Sequence, residues 1–206
     1  MSGRNPSSGG PRRLLLVLLI AVPLAFVAAY SWHQSQTGPA PVAVAKVYRV
    51  ELFVSDDAGF GQGVGAQPRY SVLVDGVLQS SANISLPAFT PIELIIVNND
   101  TRTNPASDDM GAVDGAVGGK VVFNYTNDGR TYGSVPLSSV PADQLSHTFT
   151  IPQLGVSIPV TPFSVVVAHL YFDKTGTFYW MCWCPCGYEA MVTPGWMSGQ
   201  VTVHAP

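Results

Sequence analysis

From Lys46 onward the chain breaks into short apolar stretches, each closed by turn-forming residues, and this punctuation leaves little room for anything but β-structure. Lys46 to Val54 alternates: Tyr48, Val50, Leu52 and Val54 point one way while Arg49 and Glu51 point the other, the period of a half-buried strand. Tyr70 to Val74 runs into Asp75-Gly76, a tight-turn pair. Pro91 to Asp100 is a β-branched run ending in Asn98-Asn99-Asp100. Val121 to Tyr125 and Arg130 to Val135 flank Asn127-Asp128-Gly129, a hairpin signal. Ser164 to Phe172, Phe178 to Met181 and Gln200 to His204 add further strands, at least seven in all. With 20 Gly and 17 Pro in 206 residues, and no long amphipathic pattern after residue 31, the expectation is an all-β sandwich or barrel. Arg102 to Gly119, rich in Asp, Gly, Ala and Asn, is expected to be a surface insertion.

The N-terminal residues have a different chemistry. Leu14 to Tyr30 is 17 residues without a charge, at the short limit for crossing a bilayer, and Arg12-Arg13 precede it. The positive-inside rule then places the N-terminus in the cytoplasm and the remainder outside. A cleaved signal peptide ending near Val27-Ala28-Ala29 is the rival, and either exports everything from about Ser31. The length of the run favours the retained anchor. The expected organisation is a cytoplasmic tail (1–13), an anchor (14–30), a linker (31–44) and a folded body (45–206) at the cell membrane, single-pass with the body extracytoplasmic. All 13 acids fall at or after Glu51, while three of the ten bases lie in the first 13 residues, so the body carries seven bases against 13 acids. A body so poor in positive charge argues against nucleic acid as a partner, while the apolar N-terminal run makes the membrane one.

All three cysteines fall within five residues, Met181-Cys182-Trp183-Cys184-Pro185-Cys186-Gly187. Exported proteins spend cysteines on bridges between distant strands, and an odd, local set cannot do this. Cys182 and Cys186 could pair across the loop; a bound metal protects all three. Thiolates are soft ligands suited to copper(I), zinc and iron–sulfur clusters, and the last two ordinarily recruit a second cysteine or histidine pair. Of the four histidines, His33 and His204 are expected in solvent and His169 is expected to be structural in an apolar strand. His147 opens His147-Thr-Phe-Thr-Ile-Pro-Gln-Leu-Gly-Val156. Met191 and Met197 follow the cysteines, and a thioether there suits a weak axial copper ligand.

These residues resemble the cupredoxins, and within them the copper-A domain of cytochrome c oxidase subunit II. The resemblance runs from about residue 90 to 204, interrupted by an insertion at about 102–145. It rests on the His147 segment, on Gly176-Thr-Phe-Tyr-Trp-Met-Cys182, on the Cys182-x-x-x-Cys186-Gly187 spacing and on Gly199-Gln-Val-Thr-Val203, with the Ile92 to Asp100 strand in support. It implies a Greek-key antiparallel β-sandwich holding one or two copper ions, with His147, Cys182 and Cys186 as ligands and Met197 as the axial thioether. The family's second copper histidine falls on Ala190, and a methionine counted on from it falls on Thr193. Cys184 stands where the family offers a backbone carbonyl, and it joins the candidate ligands; its thiolate, Met191, Glu189 or His169 could take the place of the missing imidazole.

Three functions compete. The resemblance implies electron transfer, with an oxidase core subunit or another redox protein as partner. Three thiols with methionines and one good histidine also suit copper(I) storage or delivery. A scaffold that has lost its metal is the third. In none of these is the chain expected to be a catalyst by itself. Trp183, Tyr188 and Trp196 crowd the cluster as a shell or docking patch, while Trp180 is expected in the core.

Overall fold

Strand alternation turns directly into layers. The computed structural model describes residues 46–57, 59, 65–104, 106–127 and 130–206, so the expected tail, anchor and linker lie outside the described residues. No helix among the described residues is long and apolar enough to cross a membrane.

One sheet of the resulting sandwich has seven strands: β1 (Tyr48–Asp57), β2 (Gln67–Val74), β3 (Val77–Ser80), β5 (Ile92–Asn98), β6 (Val121–Asn127), β7 (Arg130–Leu137) and β10 (Ser164–Leu170), in the order β3-β2-β1-β5-β10-β6-β7. The other has five: β4 (Asn83–Pro87), β8 (His147–Ile151), β9 (Val156–Val160), β11 (Gly176–Met181) and β12 (Ser198–His204), in the order β4-β12-β11-β8-β9. Val50, Leu52 and Val54 of β1 are buried, as their spacing predicts, while Arg49 on the outer face pairs with Glu51 at 2.9 Å. In β5, Ile92, Leu94, Ile95 and Ile96 are all buried, which a strand in mid-sheet tolerates and an edge strand would not.

The sheets are mixed rather than wholly antiparallel. β1 runs parallel to β5, with Tyr48 beside Ile92, and β4 runs parallel to β12, with Asn83 beside Gln200. The chain reaches both neighbours by crossing between sheets, so it returns in the same sense. Three strands go beyond the sequence reading. β3 is an edge strand exposed along its whole length, β4 is a five-residue edge strand, and β9 is an edge strand that accommodates Pro159. Within the segment expected as an insertion, Val113 and Ala116 are buried, and Asp114 bridges to Ser157 beside the five-stranded sheet.

The strand directions gather particular ends. β1 and β5 stop, and β2 and β8 start, at the same end of the sandwich where β11 gives way to the cysteine loop. Beneath that loop Trp180, Tyr70 and Phe149 are fully buried, and Trp180 Nε1–H donates to the Ser81 carbonyl at 2.9 Å. Trp180 is a core residue, as expected.

Candidate metal centre

Each piece of the site is held by backbone bonds. β11 ends at Met181, the loop carries Cys182 to Gly187, a single helical turn follows (α1, Tyr188–Val192), and Thr193 to Met197 lead back into β12. The Cys182 N–H donates to Met197 O at 2.8 Å, Met197 N–H to Ala190 O at 3.1 Å, and Met191 N–H to Gly187 O at 3.1 Å. Thr148 clamps the loop to β8: its N–H donates to Cys182 Sγ at 3.3 Å and its Oγ1 accepts the Trp183 N–H at 2.8 Å. Gly187 has φ +114, a conformation that favours glycine, and the end of the Gln67 side chain fills the space beside it.

His147, first residue of β8, meets the two spaced cysteines. One donor atom from each of His147, Cys182 and Cys186 lies within 4.8 Å of the others, and all three residues are buried. His147 Nδ1 is 3.2 Å from Cys186 Sγ, and the two sulfurs are 2.9 Å apart. The Cys184 carbonyl faces the same pair, accepting from Cys186 Sγ at 2.9 Å and lying 3.7 Å from Cys182 Sγ. All three cysteines are free.

A buried carboxylate stands behind the histidine. Asp100 Oδ2 is 3.0 Å from His147 Nε2, so Nε2–H donates to it and Nδ1 is the nitrogen turned toward the sulfurs. Arg102 Nε donates to Asp100 Oδ1 at 3.0 Å, and the same guanidinium reaches Asp56. Burial pushes the Asp100 pKa up, but the hydrogen bonds from His147 and Arg102 outweigh it and hold the carboxyl well below the usual carboxylate range. Burial opposes charge on His147, yet Asp100 and Cys182 raise its pKa above the ordinary imidazole value. Among the thiols, Cys182 is lowered despite burial because Cys184, Cys186 and His147 stabilise its anion, whereas Cys184 and Cys186 are pushed far up, first by the Cys182 sulfur and then by burial. The imidazole and the Cys182 sulfur thus each favour the charged form of the other. A soft cation bound by the same atoms would displace protons from them.

The structure brings His147, Cys182 and Cys186 together. Cys184 contributes its carbonyl at that point and keeps its thiol buried beside Cys182. Met197 is fully buried and bonded through its carbonyl to the Cys182 N–H, which puts it next to the cluster. Ala190, where a second imidazole would stand, is buried. His169 and His204 are exposed, and neither belongs to the cluster. His33 lies outside the described residues. Sequence reasoning missed Asp100 and Thr148. Asp100 is 47 positions from His147, so no local spacing announces it; its only signal was its place at the end of a family-like strand. Two cysteine sulfurs and one imidazole, buried together, form a donor set that suits copper.

No protein-family model matches the chain, and no curated protein matches it. Among solved structures it is similar to the periplasmic domain of subunit II of cytochrome oxidase (CoxB) of Bradyrhizobium japonicum, at 15% identity over 80% of this chain and 88% of that one, with a TM-score of 0.37. It is also similar to auracyanin B, at 16% identity over 78% of this chain and 91% of that one, with a TM-score of 0.35. A multicopper oxidase from Campylobacter jejuni is similar at 14% identity over 79% of this chain, with a TM-score of 0.38; this chain spans 31% of its length. At these identities and scores the likenesses assign neither family nor activity, and the chemistry of the site rests on its own residues.

Proposed function

We propose that this chain is a membrane-anchored, extracytoplasmic copper protein that passes electrons, with a cupredoxin-type sandwich resembling the copper domain of an oxidase subunit II. The observation that carries this reading is the buried convergence of His147 Nδ1 with the Cys182 and Cys186 sulfurs. His147, Cys182 and Cys186 would hold the metal, with Met197 as a weak fourth contact and the Cys184 carbonyl facing the pair. Bound copper would supply a one-electron couple. The protein's own part is rigidity: β8 and β12 fix the loop through Thr148 and Met197, and Asp100 fixes the imidazole. Trp183 and Tyr188, partly and largely exposed on the cysteine loop, offer an aromatic surface to a redox protein or an oxidase core subunit.

A second reading, copper(I) storage or delivery, is favoured by one observation, the third buried thiol at Cys184. Redox titration of the copper-loaded full chain separates the two. Electron transfer predicts a reversible one-electron couple and a paramagnetic oxidised form, whose electron paramagnetic resonance spectrum tells one ion from a mixed-valence pair. Delivery predicts copper(I) that is not reversibly oxidised, and failure to take up copper contradicts both. The topology has its own test: protease added to spheroplasts should remove the body, and protection would overturn the export.

A further inference from the structure

The end of the sandwich away from the metal has a rim of its own. The β2–β3 hairpin, the start of β1, the turn before β5 and the exit of β10 follow one another along it, and they present Val77, Leu78, Tyr48, Phe89 and Tyr171, between 38% and 60% exposed. Neighbouring strands lie about 4.8 Å apart, so these five strands make an apolar rim about 20 Å long. Single exposed apolar residues need no explanation; a contiguous set does. Phe89 is held there at a cost. Its φ of +55 lies in the left-handed region that bulky residues avoid, and its N–H is fixed to Phe172 O at 2.8 Å, so the ring is presented to solvent where asparagine or glycine would sit with less strain. Charge is sorted in the same way. The loops at this end carry all three lysines of the protein, Lys46, Lys120 and Lys174, against Asp75, Asp114 and Asp173, while the rest of the body has four bases against ten acids. The metal end also exposes aromatic rings, Phe163, Trp183 and Tyr188, but it has no lysine. The chain enters the body at this same rim, with residues 31–45 between Lys46 and the uncharged run that closes at Tyr30.

We propose that this rim seats the body on a lipid bilayer: Tyr48, Leu78, Phe89 and Tyr171 enter the headgroup region, the three lysines lie along it, and the metal end is turned toward the extracytoplasmic space. This rests on the anchored, exported topology proposed above. Aromatic rings are favoured at the membrane–water interface, and lysine stems lie along apolar surface while their ammonium groups stay in water. Balanced local charge lets this end of an otherwise acidic body approach the headgroups without repulsion. The covalent link to the anchor makes the contact intramolecular, so a few rings suffice.

The test is photolabelling of the full chain in phosphatidylcholine vesicles containing a phospholipid with a carbene precursor near its headgroup, mapped by peptide mass spectrometry. Labels are expected on the 14–30 run and, in the body, on the peptides holding Tyr48, Leu78, Phe89 and Tyr171, with none on the 182–192 loop. Phe89→Asn should keep its unfolding midpoint in urea or raise it, because asparagine tolerates the left-handed backbone. Combined with Leu78→Ser, it should cut labelling of the rim severalfold while the 14–30 run is labelled as before. A labelled run with an unlabelled rim, or with the cysteine loop labelled instead, would overturn the inference and leave the anchor standing. A rim covered by a second copy, seen as a cross-linked dimer that excludes the label, would overturn it too. So would a Phe89→Asn chain that unfolds more easily, by giving the ring a structural role. No label on the 14–30 run would overturn the anchored topology and this inference with it.

Discussion

The two ends of the sandwich are made by the same strands and have opposite chemistry. Where β1 and β5 start, several large apolar side chains are left in water alongside charged ones: Tyr48, Val77, Leu78, Phe89 and Tyr171 are each more than a third exposed. Where β5 stops and β8 starts, the residues taken out of water are polar: Asn98, Asp100, Ser146, His147 and Thr148 are buried beside three cysteines. Exposed apolar groups at a sheet end cost little. Buried titratable groups cost a great deal unless each has a partner. The polar end therefore has to be tightly built, and its partners can be traced from Asp56 through Arg102, Asp100 and His147 to the sulfurs. Such a chain makes sense around a cation-binding pocket, and nothing comparable organises the opposite end among the described residues.

Substitutions should break this contrast unequally. The largest effect is expected from Asp100→Ala, which strands the buried His147 imidazole, while Arg102 keeps Asp56 and water; a loss of about 3 kcal/mol in urea unfolding of the metal-free chain is expected. Gly187→Ala comes next. The positive φ should cost about 1–3 kcal/mol, with Gln67 swinging aside, and copper uptake should fall with it.

The acid limb of stability should follow Asp100. Its folded pKa lies well below the value of an unperturbed Asp carboxyl, so its contribution is complete above that ordinary value and is lost as pH falls toward the folded one. Comparing wild type with Asp100→Ala between about pH 5 and pH 2 should show the difference shrinking as the solution becomes more acidic. A constant difference would mean that the carboxyl contributes by shape alone. The smallest effect belongs to the other end. Leu78→Ser, on the exposed edge strand, should change stability by no more than about 0.5 kcal/mol and leave copper content unchanged.

How much of this was legible follows from what kind of pattern each part leaves. β1 and β5 announce themselves by side-chain period, and the Cys182–Cys186 spacing lies within one loop. The mixed sheets were not legible, because the direction of a strand relative to its neighbour is set by crossings that no local period records. β3 escaped because all of it is exposed, so it has no buried face to alternate. His147 could be picked out by its motif, but Asp100, two residues past β5, and Tyr70, on β2, reach it from 47 and 77 positions away, and the patterns of those strands call only for a core. The absence of a second imidazole was plain at Ala190, whereas the groups facing the pocket in its stead required the fold.

The account stands most directly on the copper content of three proteins loaded and desalted side by side: wild type, Cys182→Ser and Cys186→Ser. A buried site made of His147 and both sulfurs predicts copper in the wild type and its loss in either variant, or the collapse of a pair of ions to one, with the charge-transfer spectrum lost or changed accordingly. Full copper content with an unchanged spectrum in both variants would contradict it.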